Sequence, residues 1–278
     1  MLNPLRGKAE ILVFLEDLNR CVFLRAESGG IRLFNWLQSG TCERGTVLEN
    51  ENTTYPPPRT QAPTSGVSLL EAALVIVVTF FSVLFLGGML FIFSTEVALV
   101  VGELLILIIP LGYLLFKRIK IKSYIKADLK PRFFLIGVSM GIVLLFLDII
   151  ITGLLTAIFG PSQAVEESNR IIIDLSKSPV GLVAVVASLS LAGICEEFAF
   201  RGFLQNTINR RYSFLPAVLV SAVVFGLFHF DPQAVYTVSA FIVGLFLGFI
   251  YHHWNSYLVS ATAHSTVNII VIVLLLAL

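Results

Sequence analysis

The chain is predicted to fold as an all-α, polytopic transmembrane bundle of about seven spans around a polar intramembrane cavity. Three observations carry that prediction. Hydrophobic residues make up 56% of the 278 positions and charged residues only 13%, with a mean hydropathy of +0.89, whereas a soluble domain is roughly 25% charged. From Val67 onward, apolar runs alternate with short polar breaks, at the length of about 20 residues that a helix needs to cross a ~30 Å hydrocarbon core. Inside three of those runs sit carboxylates, imidazoles and an arginine, groups that are rare at such depth and line polar cavities or reaction sites.

The organisation follows in chain order. Residues 1–66 form a separate polar region with two short apolar pieces, Ile11 to Leu15 and Ile31 to Leu37, and a Pro-rich linker from Thr53 to Gly66. The run Pro56, Pro57 and Pro58 favours extended backbone, and this region is expected to be cytoplasmic or disordered. It lacks the continuous apolar core of a cleavable signal peptide. Residues 67–278 are the transmembrane domain. Its spans are expected at about Val67 to Phe93, Glu96 to Phe116, Phe133 to Phe159, Val180 to Asn206, Pro216 to Asp231, Gln233 to His252 and Ser256 to Leu278. Gly137 and Gly141 in the third span, and Gly244 with Gly248 in the sixth, have the small-xxx-small spacing that lets helices approach closely. The segment between Pro161 and Pro179 reads as an amphipathic helix or loop outside the core.

The basic residues orient the chain. Lys117, Arg118, Lys120, Lys122, Lys126, Lys130 and Arg132 cluster after the second span, which places that loop, and hence the N-terminus, in the cytoplasm. The expected location is the plasma membrane, multi-pass. A net charge of +1 leaves no electrostatic footprint for nucleic acid. Three cysteines, Cys21, Cys42 and Cys195, show no metal-ligand spacing, and Cys195 beside two acids reads as a buried small residue rather than a nucleophile.

Chemistry concentrates in the last hundred residues. Glu197 and Arg201 are i,i+4 neighbours able to pair, while Glu196 is rotated by about 100° and free to face something else. Phe225 and His229 share a helical face, and so do His264 and Asn268. Peptide hydrolysis needs a base to activate water and donors for the developing oxyanion. A glutamate with a histidine can supply the first, and a histidine with an asparagine amide the second. The blander readings are a buried Glu197–Arg201 ion pair and two histidines bonded to neighbouring helices. His252 and His253 beside Trp254 suit a membrane–water interface. A divalent metal such as zinc is the rival use of the same atoms: His-Glu-x-x-His is absent, but Glu196, His229 and His264 are an acceptable ligand set, so both no cofactor and zinc stay open.

Glu196-Glu197-x-x-x-Arg201, Phe225-x-x-x-His229 and His264-x-x-x-Asn268, in this order on successive spans, resemble the three motifs of the CAAX protease and bacteriocin-processing (Abi) family of intramembrane proteases, which includes Ras-converting type CAAX prenyl endopeptidases. The resemblance covers about Pro179 to Leu278. It implies that Glu196 and His229 activate water, that His264 and Asn268 form the oxyanion hole, and that Glu197 and Arg201 support the cavity, with Phe225 beside them. Family members are labelled metalloproteases, and a glutamate-dependent mechanism without metal is also argued for them. The implied function is endoproteolysis of a membrane-associated peptide or protein tail, lipid-modified or not, in CAAX-type processing, peptide maturation or self-immunity. A non-catalytic immunity or peptide-binding protein is the alternative, and a proton-coupled transporter ranks behind it for want of an inverted repeat. The depths of the three motifs predict substrate entry from the cytoplasmic side.

Overall fold

The computed structural model describes the strand segments 10–15, 20–27 and 30–36, and residues 66–125 and 130–277. The chain divides into two compact units, Met1–Thr60 and Gln61–Leu278. In the first, strands β1 (Glu10–Leu15), β2 (Arg20–Glu27) and β3 (Gly30–Trp36) form an antiparallel meander in the order β1-β2-β3. Its register pairs Leu12 with Phe23 and Phe23 with Phe34. These strands are an addition to the all-helical expectation, which describes the second unit. Apart from Gly66, the Pro-rich linker lies outside the described residues, as do Cys42 and Lys126.

The second unit is helical throughout its described residues. Its helices are α1 (Leu69–Phe93), α2 (Thr95–Phe116), α3 (Ile121–Tyr124), α4 (Pro131–Phe159), α5 (Gln163–Ser176), α6 (Pro179–Asn209), α7 (Phe214–Phe228), α8 (Val235–Trp254) and α9 (Tyr257–Ala277). The polar breaks between apolar runs act as caps. Ser68 and Glu71 make a reciprocal capping box at the start of α1, Ser94 caps α2 through Val97 N–H, and Ser162 caps α5. Ser178 caps α6, whose first residue is Pro179. Each satisfies backbone donors that the first helical turn leaves without partners. Lys117, just past α2, donates to Glu71 on α1 at 2.8 Å, which ties the two ends of that hairpin. That hydrogen bond holds the ammonium above its ordinary range.

Six of these helices are long and apolar enough to cross a membrane, and the unit is that of an integral, multi-pass membrane protein. The expected fifth span is shorter. Helix α7 has 15 residues, about 22 Å at 1.5 Å per residue, and stops at Phe228 although the apolar sequence runs on to Phe230. His229 leaves the helical conformation at φ −103°, ψ 39°. Its Nδ1 donates to the Phe225 carbonyl at 2.8 Å, and the chain then turns on Asp231. Burial raises the Asp231 carboxyl, but N–H groups of Tyr236, Gln233 and Val235, with Ser162, outweigh it and hold it below the usual carboxylate range. Segment α5, outside the spans as expected, is an amphipathic helix.

Close helix approach defines the core. A Cβ at Gly137 or Gly141 on α4 would lie 2.6 Å from Thr262 and Thr266 on α9, so the third-span glycines are where α9 packs. Helices α7 and α8 form an antiparallel pair, and Phe200 on α6 meets Phe225 and Phe228 of α7 edge-to-face at 5.1 and 5.0 Å.

Candidate active site

Helix α6 places the paired glutamates, and its backbone changes there. It is α-helical from Pro179 to Glu197, π-helical from Phe198 to Gln205 and α-helical again to Asn209. A π segment has i→i+5 hydrogen bonds and occurs frequently at functional sites. Here polar side chains of the π segment and of Asn206 just after it reach α8: Arg201 Nη2 donates to the Gly244 carbonyl at 3.0 Å, Gln205 Nε2 to the Gly248 carbonyl at 3.1 Å, and Asn206 Nδ2 to the Tyr251 hydroxyl at 2.9 Å. The sixth-span glycines therefore serve as carbonyl acceptors as well as contact points.

Arg201 and Glu197 are fully buried, and Arg201 Nη1 donates to Glu197 Oε1 at 2.6 Å. The guanidinium also lies 4.4 Å from the centre of the Phe225 ring, a cation–π contact that gains strength away from water. Glu197 Oε1 accepts a second hydrogen bond, from His264 Nδ1 at 3.2 Å. A carboxylate is an acceptor, so Nδ1 carries the proton and Nε2 of His264 is left to face the cavity.

Glu196 points the other way. Its Oε2 is buried and makes no hydrogen bond, while His264 Nε2 lies 3.8 Å away and His229 Nε2 3.9 Å away. In His229 the Phe225 carbonyl fixes the proton on Nδ1, so its Nε2 also faces Glu196 with a lone pair when the ring is neutral. Phe225 thus has two roles: its carbonyl orients His229, and its ring carries Arg201. The asparagine is placed differently. Asn268 Nδ2 donates to the Leu189 carbonyl at 3.1 Å and ties α9 to α6, leaving a second amide hydrogen beyond that bond. Cys195, buried at 0% exposure, packs with Ala199 and Phe200.

The separations from Glu196 to the two imidazoles are a little longer than those within a closed zinc site. Zinc with bonds of about 2.0–2.2 Å brings tetrahedral ligands to about 3.3–3.6 Å of one another, against 3.8 and 3.9 Å from Glu196. Among the described residues no cluster of three His, Cys, Asp or Glu side chains could hold a metal. The spacing suits a water molecule between the groups.

Three residues passed over in the sequence belong to this neighbourhood. Gly193 lets α6 meet α9, since a Cβ there would lie 2.3 Å from Ser265 Oγ and 2.4 Å from its backbone nitrogen. Asp148 on α4 is an intramembrane acid whose Oδ1 accepts from Ser239 on α8 at 2.6 Å. Glu103 on α2 shares a cavity wall with Leu189 of α6, and its Oε2 is buried without a hydrogen-bond partner. The rule that singled out Glu196, a carboxylate within an apolar run, marks Glu103 and Asp148 equally.

Comparison with known proteins adds one finding. The family described as Rce1-like, type II CAAX prenyl endopeptidase, matches residues 178–270, from the cap of α6 into α9, about a third of the chain. No curated protein matches the chain, and no solved structure does.

Proposed function

We propose that this chain, whose residues 178–270 match the Rce1-like family of type II CAAX prenyl endopeptidases, hydrolyses a peptide bond of a membrane-associated peptide or protein tail by side-chain activation of water. The observation that carries the reading is the approach of two histidine Nε2 atoms to the orphaned Oε2 of Glu196 at 3.8 and 3.9 Å. A water between Glu196 Oε2 and His229 Nε2 has an acceptor for each of its hydrogens. As its oxygen bonds to the scissile carbonyl carbon, its proton passes to this pair, which then delivers it to the leaving nitrogen as the C–N bond breaks. His264, held by Glu197 through Nδ1, is the group positioned to donate to the oxyanion from Nε2, with a proton taken from solvent before the water attacks and kept through the step. Asn268 sets the height of α9 against α6 and has a second N–H for the same oxyanion.

The site is proposed to work in the plasma membrane with the Lys117 to Arg132 segment in the cytoplasm, on substrates drawn from lipid-modified tails or maturing peptides. The test is cleavage of a panel of quenched, lipid-modified and unmodified peptides by detergent-purified protein, with and without chelator. Cleavage that disappears in Glu196→Gln and resists the chelator is the expected result. Equal cleavage by both proteins would remove Glu196 from the mechanism, and loss on chelation would replace the water-only reading with a metal. Binding without cleavage by the wild type would favour a non-catalytic peptide-binding protein.

A further inference from the structure

A cavity of about 380 Å³ lies between α1, α2, α5 and α6, walled by Phe91, Leu99, Glu103, Ile172, Val185 and Leu189 among others. That volume is within the range of ligand pockets. Three features set it apart from a packing defect. The first is its floor: Val185 and Leu189 precede Glu196 on α6 by 11 and 7 residues, spacings that return to the same helical face. The second is its roof. Helix α5 lays Ala164, Ser168, Ile171 and Ile172 over it, with the exposed Glu167 beside them; the first four are an i, i+4, i+7, i+8 stripe that an amphipathic helix would otherwise turn to a core or to lipid. The third is Glu103, whose buried Oε2 has no partner. Asp148 is satisfied by Ser239, whereas Glu196 and Glu197 also each leave one buried carboxylate oxygen without a partner; Glu103 is the one of these that lines the cavity. An unsatisfied buried acceptor is costly, and a ligand carrying a donor removes the cost.

We infer that this cavity binds an extended, apolar peptide segment on one side of the scissile bond, with Glu103 accepting a hydrogen bond from a backbone N–H of that segment. The inference rests on the protease reading of the Glu196 site. A hydrocarbon chain would fill the apolar walls but offers Glu103 nothing, whereas a peptide supplies both apolar side chains and an N–H. The geometry also sets the length. Leu189 is about 10 Å along the helix from Glu196 at 1.5 Å per residue, which an extended peptide at about 3.3 Å per residue covers in about three residues. The cavity lies toward the start of α2, away from the basic segment that follows its end, so this arm of the substrate runs toward the side opposite the expected cytoplasmic entrance.

The test uses the full chain in nanodiscs, with a benzophenone amino acid in place of Phe91, already an aromatic side chain at the cavity wall, and a pool of acyl-anchored peptides with apolar tails as the probe. The expected result is light-dependent labelling by peptide that falls about tenfold or more with Glu103→Ala. Glu103→Gln, which keeps an acceptor, restores most of it, and Ala164→Trp, which fills the roof, abolishes it. Labelling by the acyl chain rather than the peptide, or labelling indifferent to Glu103→Ala and Ala164→Trp, overturns the inference. Two patterns separate it from the protease reading. Cleavage that needs Glu196 while labelling ignores Glu103 sinks the pocket alone. Glu103-dependent labelling with no cleavage of any labelled peptide sinks the protease reading and leaves a peptide-binding pocket.

Discussion

Helices α1, α2 and α4 and helices α6, α8 and α9 are built from similar alphabets but used differently. In the first set 17 to 22% of the most apolar window is buried in the protein, and in the second 39 to 44%. The first set is the more apolar of the two and presents its large side chains outward, with Phe146 at 62% and Leu135 at 67% exposure. The second buries Glu196, Glu197, Arg201, Gln205 and His264. Lipid is as apolar as leucine, so no hydrophobic force drives one span against another, and interhelical contact depends on small residues and hydrogen bonds. The less apolar helices are therefore the ones that associate through polar groups, and the candidate site lies among them. Glu103 on α2 and Asp148 on α4 are exceptions, carboxylates of the lipid-facing set that turn toward the inward one.

This contrast can be broken most severely at Glu196. Glu196→Gln should lower kcat/KM for peptide cleavage by about 10³-fold, within the range for loss of a general base, with little change in melting temperature. Activity retained within tenfold would show that the inward set holds structure rather than chemistry. Arg201→Met comes next, because it leaves Glu197 buried without its partner. A loss of about 3–5 kcal/mol is expected, read as a lowered melting temperature in detergent, and Glu197→Gln added to Arg201→Met should recover part of it.

Gly193→Ala tests whether close approach positions the site. The new methyl must push Ser265 and the neighbouring His264 away from α6, so about 1–3 kcal/mol of overpacking cost is expected, together with a fall in kcat of tenfold or more. A stability loss with unchanged kcat would mean that the Glu196–His264 distance is not critical. Asp231→Asn should cost about 1 kcal/mol as the cap-like bonds to Gln233 and Tyr236 weaken. The sign of its pH dependence follows from a carboxyl held below its unfolded value: its stabilisation is full above the ordinary carboxylate range and is lost as pH falls through the depressed value. The wild type should therefore lose more stability on acidification than Asp231→Asn. At the far end, Phe146→Leu on the lipid-facing surface should change stability by no more than about 0.5 kcal/mol.

What the sequence made legible follows the same division. Six long apolar helices could be read because bilayer thickness imposes a length, and Glu196, Glu197, Arg201, His229 and His264 stand out because ionisable groups are rare there. The shortness of α7 was hidden, since apolar residues continue past the point where the His229 ring bonds its own helix. Gly193 was hidden for another reason: a glycine shows nothing until Ser265 is known to pack on it. The N-terminal apolar pieces around Ile11 and Ile31 coincide with β1 and β3, whereas β2, Arg20-Cys21-Val22-Phe23-Leu24-Arg25-Ala26-Glu27, carries too weak an alternation to announce itself.

The π-helical stretch from Phe198 to Gln205 also acts as a phase adjuster within one continuous rod. Upstream of it, α6 is registered against α9 through Gly193 and Ser265; within it and just past its end, α6 is registered against α8 through Arg201, Gln205 and Asn206. A uniform 3.6-residue winding ties those two registers rigidly together, and the widened turns release them. Each half of the rod can then meet its own neighbour. Losing one residue from this stretch would swing one half by about 100° against the other, so its length is less free to drift than the identity of the side chains along it.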